Sequence, residues 1–90
     1  MSAPPNEDMI ARASRGEKRA QAQVAEFLYP LLHRQIGFSF GFPAGVDDAV
    51  QESLLEVLRA LPSFRFRSSL STWAVSIAHR VSGRVLAEGD

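Results

Sequence analysis

The stretch from Asp48 to Leu61, DAVQESLLEVLRAL, decides the fold class. Val50, Leu54, Val57, Leu58 and Leu61 recur at spacings of three and four, the period of a helix with one buried face. Gln51, Glu52, Ser53, Glu56 and Arg59 cover the remaining surface. Asp48 is placed to cap this helix, with Gln51 three residues on at capping-box spacing, and Pro62 helps to end it.

Upstream, Ala20, Val24, Phe27, Leu28, Leu31, Leu32 and Ile36 repeat the same spacing and predict a longer helix from Glu17 to about Gly37. Pro30 lies inside it, removes one backbone donor and predicts a kink or break near residues 26–30. Asn6 before Glu7 and Asp8 reads as an N-cap with acids in the first turn, giving a short first helix over about 6–15 that stops at Gly16. Residues 1–5 have no period and read as a disordered leader. Between the second and third helices, residues 37–45 hold three glycines and a proline together with Phe38, Phe40 and Phe42. That punctuation predicts a loop. Its rings are expected to fold back onto the core, the alternative being a patch that faces a partner.

Downstream of residues 63–70, Ser71 is the candidate N-cap of a last helix to about Leu86, with Trp73, Ile77, Val81 and Val85 every four residues as its buried side. The expected fold is all-α, a compact bundle of three to four helices over residues 6–87, with a tail at 88–90 and no room in 90 residues for a second domain of useful size.

Composition narrows the function. The chain has no cysteine, so disulfides, thiolate zinc sites and cysteine nucleophiles are excluded. His33 and His79 fall on different helices without metal-ligand spacing and read as surface or boundary residues. Asp47 and Asp48 are sequence neighbours that project in different directions, so they read as helix-capping groups and not as an acid/base pair. No serine sits in a nucleophile elbow or a phosphate loop. No enzyme is expected, and no cofactor or metal. No apolar run spans a bilayer and no export signal is recognisable, so a cytoplasmic location is expected with no membrane partner.

Ten basic and ten acidic side chains cancel in sum but not in position. Residues 1–60 carry six basic and eight acidic groups, whereas residues 61–87 carry Arg65, Arg67, Arg80 and Arg84 with no acid. An acidic middle and a basic last third suit two partners of opposite character. The loop Arg65-Phe66-Arg67-Ser68-Ser69 also combines cations, hydroxyls and a ring, the groups that hold phosphates and unpaired bases.

The order of the pieces resembles region 2, the N-terminal domain, of bacterial extracytoplasmic-function sigma factors. Gly16-Glu17-Lys18-Arg19 leads to Leu28-Tyr29-Pro30-Leu31-Leu32. Asp48-Ala49-Val50-Gln51-Glu52 leads to Arg59-Ala60-Leu61 and Phe64. Ser68-Ser69-Leu70-Ser71-Thr72-Trp73 leads to Ile77-Ala78-His79-Arg80. Together these cover most of residues 9–86.

The resemblance implies that Asp48, Gln51, Glu52 and Glu56 face the clamp coiled coil of the largest subunit of core RNA polymerase. It implies that Arg65, Phe66, Arg67, Ser68, Ser69, Ser71 and Thr72 capture a base flipped from the non-template strand of the promoter minus-ten element. His79, Arg80 and Arg84 would then contact the backbone or neighbouring bases, and Trp73 would belong to the core. Such a domain supports transcription initiation by trapping a strand, without chemistry.

The chain also departs from the family's pattern. Phe66 stands where Gly is frequent, Leu70, Ser71, Val75, Ser76 and Arg80 replace residues that are often aromatic, basic or Asn, and Glu88-Gly89-Asp90 stands in place of a basic tail. The second domain that reads the minus-thirty-five element, region 4, has no counterpart in these residues. Two alternatives follow: a sigma-like decoy that binds an anti-sigma factor, and a helical bundle that self-associates through Phe38, Phe40 and Phe42.

Overall fold

The computed structural model describes residues 3–88. Helix α1 spans Glu7–Ser14, α2 Lys18–Phe40, α3 Val46–Ala60 and α4 Leu70–Glu88, with a 3₁₀ turn at Leu61–Ser63. Among the described residues there is no strand, so the all-α expectation holds. Met1, Ser2, Gly89 and Asp90, parts of the expected leader and tail, lie outside the described residues. The described helices include none long and apolar enough to cross a membrane.

The three long helices meet in one core. Leu28, Leu32 and Ile36 of α2, Val50 and Val57 of α3, and Ala74, Ala78 and Val81 of α4 are buried together. The most extensive packing is between α3 and α4, with α2 laid across both and α1 closing one side of α2. Small residues allow the close α3–α4 approach: Ala49, Ser53, Ala74, Ala78 and Ser82 are all fully buried. Ser53, assigned to the surface by its polarity, is therefore an interior residue. Its hydroxyl donates to the Ala49 carbonyl at 2.7 Å and lies 3.2 Å from the Ser82 hydroxyl, so both buried polar groups are satisfied.

The cap at Asn6 forms as expected, with the Met9 amide donating to Asn6 Oδ1 at 2.8 Å. Gly16, at φ +94°, makes the turn into α2. Elsewhere the ends differ from expectation. The turn that closes with the Val46 amide on the Pro43 carbonyl at 3.1 Å starts α3 at Val46, with Gly45 at the cap position. Asp48 therefore lies inside the first turn, where the helix dipole still favours a carboxylate, and the Asp48–Gln51 capping box does not form. Asp47 instead reaches across to α2, its Oδ1 3.1 Å from His33 Nε2.

Helix α4 likewise begins one residue before Ser71. Ser69 is the cap: its Oγ accepts the Thr72 amide at 3.0 Å and donates to Thr72 Oγ1 at 3.0 Å. Ser69→Ala is expected to lower stability by about 1 kcal/mol, the usual value of a lost serine cap. Ser71→Ala should stay within about 0.5 kcal/mol. Thermal unfolding of the two variants checks the assignment, and equal losses would contradict it.

Helix α2 runs unbroken through Pro30, which is exposed, so the missing donor falls on the wet side of the helix where water can substitute. It also continues three residues past Gly37 and ends at Gly41, whose φ of +75° closes the helix in the left-handed conformation. Phe38 and Phe40 are thus helical and only residues 41–45 form the connection. The expectation that the three rings fold back onto the core is overturned: Phe38 is 73% exposed, Phe42 51% and Phe40 37%. A helical backbone turns Phe38 away from the buried Leu32–Ile36 face, while Phe40, one turn beyond Ile36 on the same side, lies at the end of that face and meets His79 of α4. Phe42 packs over the bare backbone of Gly37, a place that any Cβ at that position would occupy, and meets Phe38 edge to face at 5.4 Å.

Candidate nucleic-acid and protein interfaces

The polymerase-facing candidates Asp48, Gln51, Glu52 and Glu56, three acids and an amide, share one outward side of α3, with Glu56 the least exposed. Their spacing of three, four and eight residues sets them on neighbouring turns. Glu56 Oε1 accepts from Arg59 at 3.3 Å, while Asp48 and Glu52 have no ion-pair partner among the described residues. In the middle of this side lies Leu55, 47% exposed, three residues after Glu52 and four after Gln51. The sequence reading passed over Leu55, although its absence from the Val50–Leu61 stripe was the available signal. A large aliphatic group ringed by acids and an amide is a surface that can bury an apolar contact while pairing with basic side chains around it.

The loop between the 3₁₀ turn and α4 carries the second set. Arg65, Phe66, Arg67, Ser68 and Ser69 are all exposed. Phe66 has φ +58°, a left-handed conformation that a bulky residue seldom adopts. The loop thus has a backbone that suits glycine and carries a ring on it. That ring lies on Phe64 at 4.6 Å between centroids, and Phe64 in turn lies on Trp73 at 4.8 Å. Phe64 is buried, Trp73 half-buried and Phe66 45% exposed, so the row leads from the core to solvent. Trp73 is a supporting wall of the core.

Phe64, Phe66 and Leu70 line an open cleft of about 670 Å³ together with Phe27 of α2, Ile10 of α1 and the segment Pro4–Glu7. Ser68, Ser69 and Ser71 stand at its polar edge. Ser71 and Thr72 also border a shallower hollow against Leu31 and Gln35 of α2.

The remaining basic candidates are not gathered at this cleft. Thr72, Ser76, Arg80 and Arg84 follow one another every four residues as an exposed row along α4. From Leu70 to Arg84 the helix rises about 21 Å. Arg67, Arg80 and Arg84 have no carboxylate partner among the described residues, and Arg65 donates only to the Pro62 carbonyl at 3.1 Å. His79 stands to one side of this row: its Nε2 lies 3.0 Å from Ser39 Oγ and its ring meets Phe40 edge-on at 6.4 Å. The structure thus brings the seven loop candidates together at the start of α4, sets Arg80 and Arg84 on a track leading away, and ties His79 to the end of α2.

No three His, Asp or Glu side chains converge as metal ligands among the described residues. The arrangement has cations without acid partners, stacked rings and hydroxyls on one side and an acid-edged helix on another. The first set has the chemistry to hold phosphates and the face of a ring, and the second to pair with basic side chains.

Residues 22–87 match the family model of sigma-70 region 2. The chain belongs to the sigma-70 family through this region, a part of sigma factors that takes part in promoter recognition and in binding core RNA polymerase. No curated protein and no solved structure matches it.

Proposed function

We propose that the chain is the promoter-recognition domain of an alternative sigma factor of the extracytoplasmic-function type. Its α3 side docks on the clamp coiled coil of core polymerase, and its Phe66 loop holds an unpaired base of the minus-ten element. The observation that carries this reading is the ring of Phe66, kept in a left-handed backbone at the mouth of an aromatic cleft and flanked by unpaired arginines. A left-handed phenylalanine costs about 1–2 kcal/mol, and stacking on a base is worth a similar amount when a strand is bound, about 1–3 kcal/mol. The domain performs no bond chemistry. It shifts a melted strand toward the open state by binding it, and a preformed cleft offsets the few kcal/mol lost on unstacking.

The test is binding of the full 90-residue chain to a recombinant clamp coiled coil, with Gln51→Ala, Glu52→Arg and Leu55→Asp alongside. Truncating Gln51 is expected to weaken binding severalfold, and reversing Glu52 or charging Leu55 by at least about tenfold, since an unpaired charge in an interface costs more than 1.4 kcal/mol. Wild-type binding that all three variants retain would overturn the docking surface. For the DNA half, the logarithm of affinity for single-stranded minus-ten DNA should fall by about 0.7 per phosphate contact per log unit of salt. An affinity flat in salt would remove Arg65, Arg67, Arg80 and Arg84 from that role.

A second reading has one observation in its favour. Phe38, Phe40 and Phe42 expose three rings at the end of the bundle away from the Phe66 loop, more aromatic surface than a small monomer ordinarily shows. An interaction module would use this patch, either for an anti-sigma factor or for a second copy. Sedimentation at high concentration separates the cases: a strict monomer disposes of self-association, and a dimer lost in Phe38→Ser supports it.

A further inference from the structure

One wall of the cleft is made by residues 4–7, which precede the span that matches the family model. We infer that Glu7 on this wall selects the base held in the cleft, favouring bases with an exocyclic amine over thymine. The inference rests on the reading that the cleft holds an unpaired base.

The wall has a fixed backbone. Pro4 and Pro5 restrict their own dihedrals, the Asn6 side chain is committed to the Met9 amide, and Ile10 on the next turn is buried. Along this wall the polar groups differ in what they can do. Asn6 Oδ1 is occupied as a cap, which leaves its amide as a donor. Glu7, when ionised, only accepts. It has no hydrogen bond or ion pair to a described residue, whereas its neighbour Asp8, which does not line the cleft, is paired with Arg12 at 3.0 Å. The rest of the lining offers Phe64, Phe66 and Leu70 to the face of any base and the hydroxyls of Ser68, Ser69 and Ser71, which both donate and accept, so the acceptor-only group that can tell one base edge from another is Glu7.

An unpaired base leaves its pairing edge free. Adenine, cytosine and guanine each present an amine there that a carboxylate can accept from. Thymine presents a single ring N–H between two carbonyl oxygens, and those oxygens repel a carboxylate. The same negative charge weakens the attraction of every phosphate. Removing it should therefore have two effects that a purely structural residue would not produce together: no loss of overall affinity, and loss of base preference.

The experiment measures fluorescence anisotropy of single-stranded oligonucleotides identical except at one minus-ten position, which carries A, C, G, T or an abasic site, with the full chain, Glu7→Gln and Asp8→Asn. The wild type should bind the amine-bearing strands about tenfold more tightly than the thymine strand, within the usual range of edge discrimination. In Glu7→Gln, whose amide both donates and accepts, the ratio should fall to within about threefold while overall affinity is kept or raised. Asp8→Asn removes the same charge one residue away and should leave the ranking intact. If the abasic strand binds less tightly but Glu7→Gln keeps the wild-type ranking, the inference is overturned and base capture stands. If the abasic strand binds as tightly as the others, base capture falls and the inference with it.

Discussion

Leu32→Ala is expected to lower the unfolding free energy by about 3 kcal/mol and the melting temperature by about 12–24 °C. Leu32 is fully buried on α2 between Leu28 and Ile36, where the long helix crosses the α3–α4 pair. Truncation removes the transfer free energy of three carbons and leaves a cavity that three helices cannot collapse into without moving together. A domain of 90 residues has about 5–13 kcal/mol in all, so this single change takes a large share. Leu55→Ala serves as the comparison, because Leu55 is half in solvent on α3 and its truncation should cost under about 0.5 kcal/mol. Urea denaturation of both variants checks the pair. A Leu32 variant as stable as the wild type would contradict the packing of α2 described above.

Phe66→Gly separates structure from function at the loop. Glycine adopts φ +58° freely, so the substitution relieves about 1–2 kcal/mol of left-handed strain. It also loses the ring contact with Phe64, about 0.5–1.5 kcal/mol, and adds freedom to the unfolded chain, about 0.4–1 kcal/mol. These oppose each other, and stability should stay within about 1 kcal/mol of wild type. Affinity for single-stranded minus-ten DNA should nevertheless fall by about thirtyfold, the equivalent of about 2 kcal/mol of base stacking. Thermal unfolding and anisotropy on the same preparation read the two effects. Unchanged DNA affinity would show that Phe66 is an ornament of the Phe64–Trp73 row and no contact to a base. A glycine would meet the backbone need alone, whereas Phe66 carries a strain that stacking on bound DNA would offset.

The helical elements were legible because their signal is local. Spacings of three and four along α2 and α3 named Leu28, Leu32, Ile36, Val50, Val57 and Leu61, all of which are buried. Ser53 was misplaced although it stands three residues after Val50 and four before Val57; its hydroxyl drew it to the surface, while the carbonyl of Ala49 and the hydroxyl of Ser82 supplied the partners that allow it inside. Helix ends were less legible, since Ser68, Ser69 and Ser71 offer equivalent cap chemistry and only backbone geometry chooses Ser69. The candidate site was legible in its residue types: the arginines, rings and hydroxyls of residues 65–72 were all found. Its second wall was not, because Pro4–Glu7 lie some 60 positions earlier in the chain and carry no motif.

By itself, then, the sequence determined the all-α class, the apolar faces of the long helices, the separation of acidic from basic surface and the membership that its ordered motifs suggested, since each depends on neighbours within a few turns. Only the tertiary structure decided that Phe38, Phe40 and Phe42 face solvent, that His79 is held by Ser39, and that residues 4–7 complete the cleft beside Phe66. Those outcomes depend on how α1, α2 and α4 pack against one another. Packing is settled by volume and contact between residues far apart in the chain, which no local period records.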